Sequence, residues 1–107
     1  MSGDGPSELC ISAITLAELR FGASRKKSSR LHELIEAFTA NIAIAPFEES
    51  AAGEFGRVGA ELAERGSLIG ELDVLIAAHA IAVRAVLVTN NVKHFSRVKG
   101  LHVENWF

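Results

Sequence analysis

Cysteine is nearly absent. Cys10 is the only one in 107 residues, so an internal disulfide and a multi-cysteine zinc site are both excluded, and a reducing cytosol suits the chain. Long apolar runs are missing too; none approaches the roughly 20 residues that span a bilayer. The opening MSGDGPSE is polar and acidic and carries no secretory signal. Residues 1–8 are expected to form a loose leader. With a formal net charge of −2 the chain lacks any overall pull toward a polyanion. What is present is enough for a core: 49% of residues are hydrophobic and 22% charged. The expectation is one small cytoplasmic domain over residues 9–107, with no membrane association.

The charge is unevenly spread. Residues 20–30 hold Arg20, Arg25, Lys26, Lys27 and Arg30 without an acid, and no acid falls between Asp73 and Glu104, where Arg84, Lys93, Arg97 and Lys99 lie. Most acids fall between Glu33 and Asp73. Ordinary solvated faces give such a pattern, and so does a domain that holds cations and binds a polyanion.

Along the chain, LCISAI (9–14) reads as a short buried strand, and Thr15 opens a helix through Ser24 with Leu16, Leu19 and Phe21 as its apolar contacts. Arg25–Ser29 is a turn. A second helix over 30–40 keeps Leu31, Leu34, Ile35 and Phe38 at helical spacing. IAIA (42–45) is a strand closed by Pro46, and Glu48–Arg65 a long helix with Phe55, Val58 and Leu62 on one face. After the loop GSLIG, the helix Glu71–Arg84 is apolar nearly all round, the mark of burial on most sides. AVLVT (85–89) is a third strand, NNVKHFSRVKG a loop with one helical turn, and LHVEN a last strand before Trp106. Strands alternating with helices imply a parallel sheet covered on both faces, with its site at the strands' carboxyl ends.

Glu18, Asp73 and the Thr89–Asn91 segment can reach that edge. Thr15 and Glu18 also fit a capping box, in which each side chain satisfies a free backbone donor. Asp73 complements the helix dipole, but it heads the least polar helix, where a partly desolvated carboxylate needs a cation or several donors. Two acids at one edge repel unless a cation lies between them. Oxygen-only ligands suit Mg²⁺ or Mn²⁺. Thr89, Asn90 and Asn91 either line the same cleft or form a turn that uses asparagine's tolerance of left-handed backbone. His79, in an apolar helix, is expected to be a core or interface histidine. His94 lies in the cleft-edge loop, and no third ligand makes a zinc site of the two.

Three segments, CISAITLAELRFGA, RGSLIGELDVLIAAHAI and LVTNNVKHFSRVKGLHVENW, resemble in order and spacing successive motifs of the VapC branch of the PIN-domain family, from Leu9 onward. The resemblance implies a PIN-like three-layer α/β sandwich with a small parallel sheet. It also implies a Mg²⁺- or Mn²⁺-dependent endoribonuclease, the toxin of a type II toxin–antitoxin pair, commonly dimeric and inhibited by a VapB-like antitoxin. By position Glu18 and Asp73 are the metal-binding acids. With Asn91 they form the catalytic set, and Thr89, Asn90, His94, Arg20 and Lys93 are contacts to RNA or the cleft. Two departures accompany the likeness. The family's first strand, ending in Leu-Asp-Thr-like residues, has no counterpart here, and His94 stands where relatives usually carry Asp or Glu. A second reading is an inactive PIN fragment that binds antitoxin or another chain. A third is a small regulatory domain whose acids only cap helices.

Overall fold

The computed structural model of the protein describes residues 10–89 and 91–105. The expected leader (1–8), Asn90 and Trp106 lie outside the described residues. The chain divides at Pro46–Phe47 into two compact units.

In the first unit β1 (Cys10–Ser12) runs into α1 (Ala13–Arg25), and α2 (Ser29–Thr39) leads to β2 (Ala43–Ala45). β1 and β2 pair in parallel, Ile11 opposite Ile44. The helix starts two residues earlier than Thr15. Ser12, the last strand residue, already has the extended backbone that a cap requires, and its hydroxyl accepts the Ile14 N–H at 3.0 Å. Thr15 therefore sits inside the first turn and the Thr15–Glu18 capping box does not form, which leaves the Glu18 carboxylate without a capping role. Ser28 caps α2 in the same way, accepting the Leu31 N–H at 3.0 Å.

The expected apolar contacts of α1 are corrected in part. Ala23 is its buried residue, while Leu19 and Phe21 are exposed. At about 100° per residue, Ala23 stands one turn beyond Leu19, but Phe21 points to nearly the opposite side. In α2 only Ile35 is buried, and Leu34 and Phe38 remain exposed.

The second unit holds α3 (Glu49–Glu64), α4 (Glu71–Ala82), β3 (Val86–Val88), α5 (Val92–Phe95) and β4 (His102–Glu104). β3 and β4 are again parallel, Leu87 opposite Val103. Its core joins Val58 and Leu62 of α3, Val74 and Ala77 of α4, and Ile69, Phe95 and Val98, with Phe55, Ile81 and Leu87 packed against them. α4 buries Val74 and the run Ile76 to His79, as its all-round apolar character demands. His79 is a core histidine, its ring edge-on to Phe47 with centroids 5.3 Å apart. No helix among the described residues is long and apolar enough to cross a membrane.

Three helices end in one motif. After α3, Gly66 adopts φ +68, and the Gly66 and Ser67 N–H groups return to Ala63 and Leu62 carbonyls at 3.1 and 2.9 Å. After α1, Lys27 takes φ +52, with Lys27 and Ser28 bonded to Ser24 and Ala23. After α4, Arg84 takes φ +58, with Arg84 and Ala85 bonded to Ile81 and Ala80. Each is a Schellman turn, whose left-handed position usually goes to glycine. Two are held here by cations, which interact favourably with the negative helix end.

Candidate active site

Asp73 stands in the first turn of α4, beside the buried Val74. The helix is entered through Gly70 at φ +99 and ψ 142, a backbone that side-chain-bearing residues avoid, and the Val74 N–H closes the first turn on the Gly70 carbonyl at 3.0 Å. Gly70 offers no side chain to cap the helix, so an acid in the first turn faces uncapped N–H groups and the positive end of the dipole.

The partner of Asp73 is His94. The Nε2 of His94 lies 2.9 Å from Asp73 Oδ2, with 23% of the histidine side chain and 38% of the aspartate side chain exposed. His94 is the third residue of α5, a single turn closed by Phe95 N–H to Asn91 carbonyl (3.2 Å) and Ser96 N–H to Val92 carbonyl (2.8 Å). The next residue, Phe95, is buried in the core. The two rings meet edge to face, centroids 5.3 Å apart, so the imidazole is steered by an anchored neighbour.

α5 follows directly from the carboxyl end of β3, where the polar segment was expected. The Thr89 N–H extends the ladder to the Glu104 carbonyl at 3.0 Å, and the Thr89 hydroxyl accepts the Asn91 N–H at 3.0 Å. Thr89 and Asn91 are thus brought together, by a threonine side-chain turn. Asn91 itself has φ −106, so the expected left-handed asparagine is not what makes the turn at this position. The Asn91 side chain does not cap α5 and Asn91 is exposed.

Glu18, in the first unit, is half-buried and lines a shallow groove of about 340 Å³ between α1 and α2, with Leu19, Leu34 and Phe38. Among the described residues it has no hydrogen bond or ion pair. Arg20, expected to contact RNA, is engaged locally: its Nη1 lies 2.8 Å from His32 Nδ1 and its Nη2 3.7 Å from Glu36 Oε2. Lys93 is exposed on α5, and Arg97 and Lys99 are exposed just beyond it.

Among the described residues no group of three or more His, Cys, Asp or Glu could hold a metal ion. The donors that do converge are one carboxylate and one imidazole. Of the two, the carboxylate alone is the donor type that suits an ion which keeps most of its waters, as Mg²⁺ does. The Asp73–His94 pairing was not foreseen, although each residue was singled out. Its only trace in the sequence is indirect: one turn of helix after Asn91 carries position 94 away from the strand end, 21 residues beyond Asp73.

An acid at the head of a buried helix, together with a polar turn at the carboxyl end of a parallel strand, places the candidate site where α/β proteins carry theirs. The PIN domain model matches residues 2–101. The chain belongs to the PIN-domain family, and within it to the VapC type. Ribonuclease VapC2 of Haemophilus influenzae is 42% identical over 100 residues, which are 92% of this chain and 76% of that protein. The tRNA(fMet)-specific endonuclease VapC of Shigella flexneri is 39% identical over 100 residues, again 92% and 76% of the two chains. Among solved structures, VapBC2 of Rickettsia felis bound to a DNA fragment from its promoter matches with a TM-score of 0.89 and 40% identity, covering 94% of this chain and 76% of that one.

Proposed function

We propose that the chain is a metal-dependent endoribonuclease, the toxin of a type II pair, held in check by a VapB-like antitoxin. The single observation that carries the reading is the Asp73 carboxylate, exposed enough to reach solvent yet set at the head of the most apolar helix, with His94 linking it to the polar turn after β3. The likeness to proteins named VapC ribonuclease, and to solved VapBC complexes, supports both activity and partner.

A Mg²⁺ or Mn²⁺ ion, when bound, activates water and offsets charge that develops on the phosphate. The chain's own residues do the rest. Asp73 supplies the carboxylate for the ion, and His94 fixes the rotamer of that carboxylate through its Nε2 contact. Asn91, free of a capping role, offers its amide beside Thr89 to a phosphate oxygen or an attacking water. Lys93, Arg97 and Lys99 hold the strand by its phosphates. Glu18 enters as the acid of the first motif, and its carboxylate has no competing partner among the described residues. The protein acts in the cytoplasm as a homodimer.

The test is cleavage of transfer RNA and unstructured RNA by purified protein with Mg²⁺ or Mn²⁺. Cleavage should stop with EDTA and fall at least about 100-fold in Asp73→Asn, since a metal's electrostatic contribution is worth several kcal/mol and each 1.36 is tenfold. Full activity of Asp73→Asn would reject the reading. The exposed apolar residues of α1 and α2 favour a second one, a PIN module that captures a partner without cutting RNA. Antitoxin binding without any RNA cleavage would support it.

A further inference from the structure

Phe21 is the most exposed phenylalanine among the described residues, with 67% of its surface open to solvent. It lies two residues from both Leu19 and Ala23, about 200° around α1, and so faces away from the groove that those residues line. One turn on, Arg25 shares its side of the helix, the two Cβ atoms roughly 5–6 Å apart. Lys26 and Lys27 follow, and Lys27 holds a left-handed backbone at φ +52 that glycine would adopt more easily. Arg25, Lys26, Lys27 and Arg30 are all exposed. No acid lies in the sequence between Glu18 and Glu33, and among the described residues none of these four cations makes an ion pair. Arg20, by contrast, is engaged by Glu36.

An aromatic ring beside uncompensated cations is the combination that grips single-stranded nucleic acid: a base stacks on the ring while phosphates meet the charges. A duplex keeps its base faces inside the stack and offers such a ring nothing. The neighbours of Phe21 one turn away on α1 are Ala17, Glu18, Ser24 and Arg25. The ring therefore stands alone among small, polar and charged groups, too little apolar surface for burial in a membrane. Resting on the reading of the chain as a ribonuclease, we propose that Phe21 stacks on an unpaired base of the RNA, while Arg25, Lys26 and Lys27 hold the phosphates flanking that base. The first unit then selects unpaired segments, a task separate from the chemistry at Asp73.

Binding is measured by fluorescence anisotropy on the untagged full chain, with EDTA present so that RNA is held but not cut. The probes are a labelled oligoadenylate, its duplex with oligouridylate, and an abasic ribose–phosphate strand of the same length. Wild type should prefer the single strand. Phe21→Ala should weaken that binding at least about fivefold, the worth of one stacked base, and Phe21→Trp should restore it. The abasic strand should bind wild type no more tightly than it binds Phe21→Ala, a comparison that needs no substitution in the better-binding protein. Replacing Arg25, Lys26 and Lys27 together by Gln should instead reduce the salt slope by about 2, at about 0.7 per phosphate contact. Phe21→Ala should leave that slope unchanged. Circular dichroism checks the fold of each variant.

Equal affinity of wild type and Phe21→Ala for the single strand, or tighter binding of the duplex, would overturn the proposal. Capture by anionic phospholipid vesicles that RNA fails to displace would overturn it too. If Phe21→Ala binds like wild type while wild type cleaves RNA with Mg²⁺, only the stacking surface is lost and the nuclease reading stands. If Phe21 is needed for binding but no RNA is cut with Mg²⁺ or Mn²⁺, the nuclease reading falls and the surface remains.

Discussion

The left-handed residues that close α1, α3 and α4 permit a test in which the same substitution should change sign with position. At Lys27, Gly66 and Arg84 the backbone sits at φ between 52 and 68. A residue with a Cβ in this conformation costs about 1–2 kcal/mol. Glycine avoids that cost but gives back about 0.4–1 kcal/mol through the greater freedom of its unfolded chain. The difference leaves glycine ahead of alanine by roughly 0.5–1 kcal/mol at each site. Comparing Lys27→Gly with Lys27→Ala, and Arg84→Gly with Arg84→Ala, cancels the lost charge, which contributes separately near a helix end. Gly66→Ala supplies the third pair. Gly53, in the interior of α3 with open space where a Cβ would go, should behave oppositely, with Gly53→Ala gaining about 0.5–1 kcal/mol. Urea unfolding followed by circular dichroism reads each pair as a midpoint shift of roughly 0.5–1 M, for a slope near 1 kcal/mol per M. Alanine equal to or better than glycine at position 27 or 84 would refute the geometry there, provided the slope is unchanged.

Ser12→Ala should lose about 1 kcal/mol and Thr15→Ala much less, because the cap is at position 12; equal losses in thermal melts would restore the capping box. Leu62→Ala, in the closed core of the second unit, should cost about 3 kcal/mol or more, against about 1 for the half-exposed Leu72→Ala; a similar midpoint for the two variants would contradict the core described. Replacing Lys93, Arg97 and Lys99 together by Ala should weaken RNA binding alike for all sequences and reduce its salt slope by about 2, close to 0.7 per phosphate contact on a single strand. An unchanged salt slope in filter binding would remove these residues from the RNA path.

Much of the second unit could be read directly from residue pattern. Phe55, Val58 and Leu62 share a face because helical spacing places them there, and the largely apolar stretch from Val74 to Ala82 has nowhere stable except a core. Parallel pairing followed from the alternation of strands and helices. Reading failed where two local devices competed. Ser12 and Thr15 both can cap; strand geometry ending at Ser12 decided between them, and periodicity carries no record of that. In the turn after β3 the Thr89 hydroxyl accepts the Asn91 N–H, a contact the residue pattern does not record. Asp73 stands out in the sequence by type and place, but its contact with His94 depends on the pitch of a single helical turn. The contacts of Arg20 with His32 and Glu36 are not legible in the sequence, because they depend on how α2 packs on α1.

The thin core of the first unit has a kinetic consequence. Among its described residues only Ala23 and Ile35 are buried apolar side chains, so few contacts oppose its opening. Amides of α1 and α2 should exchange with solvent long before those of α3 and α4, whose opening would expose Val58, Leu62 and Ala77. The same turn that reverses the chain after α1 presents Arg25, Lys26 and Lys27 in succession to solvent. That is a ready trypsin site at the least protected stretch, and a limited digest should nick the protein there first, leaving the second unit intact for longest.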